Sequence, residues 1–199
     1  LSAIGADANS PSLYAQTKAA GEAAVLAAFP KAIILRPSVV FGPDDQFFNR
    51  FAGLAAMLPF MPVVAGDTRF QPVYVGDVAD AAMAALADPS AAGKVFELGG
   101  PRVMSMRDVL RYILDVTGRH RPMITLPEGF VRLQARLGEL LPTPPLTRDQ
   151  LILLGKDNVV SPNALGFQAL GIEPKAVEAI VPGYLARFRR GGQRPGVVA

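Results

Sequence analysis

Hydrophobic positions along this chain follow two rhythms, one of period near 3.6 and one of short unbroken runs. Small apolar residues crowd Ala19, Ala20, Ala23, Ala24, Ala27 and Ala28, and Pro30 stops the series just after Phe29. Asn9-Ser10-Pro11 ahead of it offers a cap and a first-turn proline, so a helix is predicted from about Pro11 to Phe29. Ala32-Ile33-Ile34-Leu35 reads as a strand buried on both faces, and the chain must turn at Gly42-Pro43. Phe47, Phe51, Leu54 and Leu58 recur at helical spacing. Pro72 to Val75 is a second strand, with Asp77 expected to cap a helix from Val78 to Ala87. Lys94 to Leu98 is a third strand, closed by Gly99-Gly100-Pro101. Ser105 should cap a helix from Met106 to Thr117 that Gly118 ends. From Pro122 onward the pattern is helical, broken at Pro142-Thr143-Pro144-Pro145, and the Gly/Arg/Pro-rich end from Gly191 reads as frayed.

Strands alternating with helices specify an α/β fold with parallel strands. Composition narrows the class further. Half of the 199 residues are hydrophobic and 19% are charged, which excludes a disordered chain and supplies a core. The absence of cysteine excludes a disulfide scaffold, thiolate zinc and cysteine nucleophiles. The lone His120, in the basic stretch Gly118 to Pro122, has no second imidazole to share a metal with, so no metal site is expected. A net charge of +3 gives no reason to expect nucleic acid. The longest uncharged run, between Arg50 and Asp67, has sixteen residues and is broken by Pro59 and Pro62. It is short of the roughly 20 that a spanning helix needs, and reads as buried or pocket-lining. No cationic stretch precedes an apolar run at the start, so no signal peptide is expected in these residues, and the first residue is Leu1 rather than Met, as expected of a processed or partial sequence.

Candidate chemistry gathers in the first helix. Tyr14 and Lys18 are spaced i, i+4 and therefore share a face. A phenol titrates near 10, too high for acid/base work at neutrality, and an ammonium beside it lowers that value. Ser2, twelve residues before Tyr14, is placed to hold the substrate oxygen, whereas Ser12 in the first turn is expected to bond the local backbone. Spacing alone carries little weight, since Tyr and Lys often recur at this interval on a solvated helix. The flanking motifs carry more.

Tyr14-Ala-Gln-Thr-Lys18, Ile34-Leu-Arg-Pro-Ser-Val-Val-Phe-Gly-Pro43 and Gln71-Pro-Val-Tyr-Val-Gly-Asp-Val-Ala-Asp-Ala81 resemble the extended and atypical, epimerase/dehydratase-like branch of the short-chain dehydrogenase/reductases. Ala28-Phe-Pro-Lys-Ala-Ile-Ile, Asp44-Asp-Gln-Phe-Phe-Asn-Arg-Phe51 and Leu146-Thr-Arg-Asp-Gln150 look like its subgroup of NADPH-binding complex I accessory subunits and their bacterial relatives. The resemblance implies the C-terminal part of a Rossmann-type doubly wound sheet plus a smaller, mostly helical substrate-binding subdomain. Residues 1–43 would belong to the dinucleotide-binding domain, 44–190 to the rest of the sheet and the subdomain, and 191–199 to a flexible tail. The Gly-x-x-Gly-x-x-Gly turn that holds a pyrophosphate in such folds does not occur here.

By the resemblance, Tyr14 is the acid/base, Lys18 lowers its pKa and holds the nicotinamide ribose, and Ser2 orients the substrate oxygen. Pro37, Ser38, Val39 and Val40 would lie against the nicotinamide. Ser38 stands where sugar-nucleotide enzymes carry bulkier or amide-bearing residues. The implied activity is NAD(P)-dependent oxidoreduction with NADPH favoured, and the dinucleotide should bind weakly or not at all without the glycine turn. The alternatives are a non-catalytic NADPH-binding accessory protein of a respiratory complex, and a sugar-nucleotide epimerase or dehydratase. The apolar stretch Phe47 to Val64 suggests an apolar small-molecule substrate such as a quinone or lipid. The strand Ile33–Leu35 is expected to have an unpaired edge and an apolar face, which predict self-association. The expected location is cytoplasmic, at the inner face of a membrane if peripheral to one.

Overall fold

The computed structural model describes residues 1–127, 129, 131 and 147–191. The proline-rich break at 142–145 and the tail beyond Gly191 lie outside the described residues. The first helix, α1, spans Leu13–Ala28 and begins two residues later than its expected start. Ser12 is its cap: the hydroxyl accepts the Ala15 N–H, satisfying one of the first-turn donors that a helix leaves free. Pro11 therefore precedes the cap instead of occupying the first turn. Only Ala15 of this helix is buried, and Leu13, Val25 and Phe29 stand out in solvent beside it.

Strand β1 is Ile34–Pro37, shifted two residues from the expected run. Its parallel partner is Val95–Leu98, in the register Ile34 to Val95 through Pro37 to Leu98. Along the other edge of β1, Ser2 N–H donates to Leu35 O (2.8 Å) and Ile4 N–H to Pro37 O (3.0 Å), so the first residues run beside it like a further strand. β2, Val40–Phe41, follows and pairs in parallel with Val73–Tyr74. Four other short strands arise where none was expected. Met61–Val63 pairs in parallel with Met123–Thr125, in a region read as helical, and Arg69–Phe70 pairs antiparallel with Met104–Ser105. Each has only two or three residues, too few to show a period of 2.

The second helix, α2, is Phe48–Met57. Its fully buried face is Phe48, Ala52 and Ala55, one position round from the expected Phe47/Phe51/Leu54 stripe, which is only partly buried. The third, α3, spans Val75–Ala87 and starts directly from the strand with Tyr74 as its cap. Asp77 is thus inside the first turn and is not the expected cap. Its almost fully buried carboxylate accepts the Lys175 N–H (2.6 Å) and the Lys175 ammonium (3.1 Å), joining α3 to a segment 98 residues away. The fourth helix, α4, is Met106–Thr117, as expected in full. Ser105 and Asp108 form a reciprocal capping box, and Gly118 closes it at φ 62°, a backbone that L side chains resist. Two further helices, α5 (Arg148–Leu154) and α6 (Val177–Leu185), complete the described set.

Apolar burial divides into regions that correspond to these elements. Leu35, Phe96 and Leu98 of the sheet pack against Val78, Ala81 and Ala85 of α3. Phe48, Ile113 and Val181 join α2, α4 and α6 in a helical core. Met61, Phe70, Met106 and Leu110 close the space between them. Gly100 shows how tightly the sheet end is built. A Cβ there would run into the Pro72 carbonyl oxygen, and the Gln71 side chain donates to the Gly100 carbonyl at 2.8 Å. Among the described residues no helix is long and apolar enough to cross a membrane.

Candidate active site

A cavity of about 760 Å³ opens where the C-terminal end of β1, the start of α1 and the helices α2, α4 and α5 meet. Cavities at the carboxyl ends of parallel strands are the usual ligand sites of such folds. Of the candidate residues, Tyr14, Pro37, Ser38 and Val39 line it; Ser2, Lys18 and Val40 do not.

Tyr14 is in the first turn of α1, and its hydroxyl has no hydrogen-bond partner among the described residues. Lys18 lies one turn on, with its ammonium 5.5 Å from the centre of the Tyr14 ring. That contact is with the ring face, where a cation is attracted by the π system. The expected lowering of the phenol pKa is not seen. Loss of solvent raises the Tyr14 pKa above its ordinary value of 10.

Ser2 is turned away from the cavity, because its backbone pairs with Leu35 and its side chain enters the layer between β1 and α1. Its Oγ is buried without a hydrogen bond of good geometry. It lies close enough to Glu22 to help hold that carboxyl below its usual range, an effect due first to the Arg36 guanidinium. Arg36 donates to both Glu22 oxygens at 2.8 and 2.6 Å, and Glu97 stands 3.8 Å away, so Arg36 serves the sheet–helix contact.

Ser38 lines the cavity with a hydroxyl already engaged. Its Oγ is 2.6 Å from Asn158 Oδ1 and 2.9 Å from Asn158 O, and it accepts the Gln71 N–H at 3.3 Å. Asn158 Oδ1 also accepts the Val39 N–H (3.1 Å), while its amide donates to Ile4 O (3.3 Å). One side chain thus fixes the β1–β2 turn to the chain start. No sequence pattern marks Asn158 for this role, since its partners are 119 and 154 residues away.

Asp149 was visible only as part of the Leu146 to Gln150 motif. In the structure its carboxylate sits on the amino end of α1. It accepts the Leu13 N–H at 2.7 Å, the Tyr14 N–H at 3.3 Å and the Ser12 hydroxyl at 3.1 Å. These donors have no partner within the helix, and an anion there also meets the positive end of the helix dipole. The helix that carries Asp149 supplies Ile152, Leu153 and Leu154 to the cavity wall. His120 is exposed and remote, and the described residues hold no cluster of three or more His, Asp or Glu able to bind a metal.

The family described as RmlD substrate binding domain matches residues 5–133. The chain is 36% identical over 207 residues to subunit 9 of the NADH dehydrogenase (ubiquinone) 1 alpha subcomplex, mitochondrial, of Arabidopsis thaliana, covering 98% of this chain and 52% of that protein. It is 35% identical over 130 residues to a ceramide reductase of Caulobacter vibrioides, covering 64% and 40%. The chain spans about half the length of the curated relatives it matches. Among solved structures, RMD from Pseudomonas aeruginosa complexed with NADPH superposes with a TM-score of 0.61 at 16% identity, over 88% of this chain and 54% of that one. At that identity the likeness shows the Rossmann-type fold alone.

Proposed function

This chain belongs to the RmlD substrate-binding-domain family, within the short-chain dehydrogenase/reductase group of epimerases and reductases, and we propose that the complete protein is an NAD(P)-dependent oxidoreductase. The observation that carries the reading is the free Tyr14 hydroxyl at the cavity wall, with Lys18 on the same helix face. A phenol so placed can give a proton to a substrate oxygen as a carbonyl is reduced, and take it back in the reverse direction. The reductase activity named for the Caulobacter relative agrees with this chemistry. NADPH, favoured over NADH through the subunit relatives, would supply the hydride.

The lining fits the nicotinamide end of such a cofactor and no more. Pro37 and Val39 offer backbone and apolar surface beside Tyr14, and Lys18 is within a turn of it for the ribose. No glycine-rich turn for the pyrophosphate is present in the 199 residues. Residues 1–43 are accordingly read as the cofactor-facing part and residues 44–190 as the remaining sheet with the substrate-binding subdomain. In this assignment Ser2 supports Glu22 and the sheet, while Ser10, a residue of the cavity lining, has its hydroxyl accepting the Ser12 N–H at 3.2 Å.

The test is Tyr14→Phe in the complete protein. NADPH-dependent carbonyl reduction should be lost while NADPH binding stays nearly unchanged; undiminished turnover in the variant refutes the assignment. A second reading, an NADPH-binding accessory subunit without turnover, is favoured by one observation. Relatives matched over most of the chain, those of Arabidopsis thaliana and Mus musculus among them, are subunits of the respiratory NADH dehydrogenase. Absence of turnover in the wild type, with NADPH bound and the protein held in a respiratory complex at the inner face of the membrane, would decide for it.

A further inference from the structure

The polar side chains around the cavity are largely spent on the protein itself. Ser38 and Asn158 satisfy each other. Asp157 accepts the Arg69 N–H and guanidinium, both at 2.8 Å. Gln150 closes the capping box of α5 through Thr147, and the Lys156 ammonium lies 4.0 Å from Asp7. The Tyr14 hydroxyl remains free, and exposed Gln46 and Arg50 stand at the rim. Much of the remaining wall is hydrocarbon, from Phe51 and Leu54 of α2, Met106 and Leu110 of α4, and Leu153 and Leu154 of α5.

A nucleotide sugar would bring a diphosphate and several hydroxyls into this space. Each would leave water for a wall that, among the described residues, has few uncommitted donors or acceptors, and an unpaired buried polar group is costly. A hydrocarbon chain meets no such penalty and removes apolar wall from water as it enters. We propose that the cavity takes an amphipathic substrate with one reactive oxygen at Tyr14 and a flexible apolar chain along the α2–α4–α5 wall. The proposal rests on the oxidoreductase reading for the reacting oxygen, but the chain-binding wall is a property of these residues alone. A volume of about 760 Å³ is in the range that encloses most of a ligand of this kind.

The complete protein can be titrated with methyl ketones of increasing length by isothermal calorimetry. Affinity should rise about three- to fourfold per added methylene until the tail outgrows the cavity. Leu54→Glu, at a partly exposed wall position, should abolish that dependence with the circular dichroism spectrum unchanged. Ile152→Glu, at an exposed wall position, serves if the first variant fails to fold. Tyr14→Phe should keep the dependence on length. Affinity that is flat along the series, a slope that survives both wall substitutions, or tighter binding of UDP-glucose than of the longest ketone overturns the proposal. Length-dependent binding without NADPH-dependent reduction by the complete protein would uphold the substrate class and refute the oxidoreductase reading. Reduction of short polar carbonyls with no length dependence would do the reverse.

Discussion

Replacing Asp149 by Ala removes the distant side chain that, together with the Ser12 cap, satisfies the amino end of α1. The Leu13 and Tyr14 N–H groups then have no protein acceptor, and the Ser12 hydroxyl loses its own. Hydrogen bonds to a charged group contribute about 1.5–3 kcal/mol when shielded. Asp149 is only partly buried, and water can replace some of what it supplies. Ser12 still caps the Ala15 N–H, so the helix start does not unravel. A loss of about 2 kcal/mol follows, of the order of a good cap with an added helix-dipole contribution. For a chain of this size that is a fall in Tm of about 4–8 °C. Urea titration followed by circular dichroism measures it directly. Amide exchange should also quicken first at Leu13 and Tyr14, because the clamp acts there. Asp149→Asn, which keeps an acceptor oxygen but loses the charge, should cost about half as much. A change under about 0.3 kcal/mol in the Ala variant, or equal losses in the Ala and Asn variants, would refute the view that this carboxylate anchors the Tyr14 helix.

Two other outcomes follow from the same geometry. Burial, with a smaller contribution from Glu178, pushes the Tyr112 phenol up to about 12, and burial with the Asp45 hydrogen bond raises Tyr184 further. A phenol whose folded pKa exceeds its unfolded value near 10 binds its proton more tightly in the folded state, so its contribution is complete below pH 10. Stability should therefore fall between pH 10 and 12, and Tyr112→Phe should flatten that fall in alkaline denaturation; an unchanged slope would refute the role. Calorimetry of the 199-residue chain with NADPH should show weak binding or none, because the nicotinamide end alone does not offset immobilising a dinucleotide. Micromolar binding at one site per chain would contradict this.

The local grammar of the chain determined most of its helices and the parallel strands. The capping box at Ser105, the Gly118 stop and the Tyr14–Lys18 face are all written within a few residues, where propensity and hydrogen bonding act without help from elsewhere. The short strands Met61–Val63, Arg69–Phe70, Met104–Ser105 and Met123–Thr125 are not legible in the sequence, since their existence depends on a partner brought alongside by the fold. The same reason separates the site into two parts. That Tyr14, Pro37 and Val39 border one cavity follows from motifs read in order. That Ser2 turns into the sheet, that Asp77 binds Lys175 instead of capping, and that Asn158 and Asp149 hold the β1–β2 turn and the α1 start did not. Asp and Asn side chains can satisfy a neighbouring backbone or a distant one with almost equal energy. Which they choose is decided only when tertiary packing delivers the distant donor to within hydrogen-bond reach.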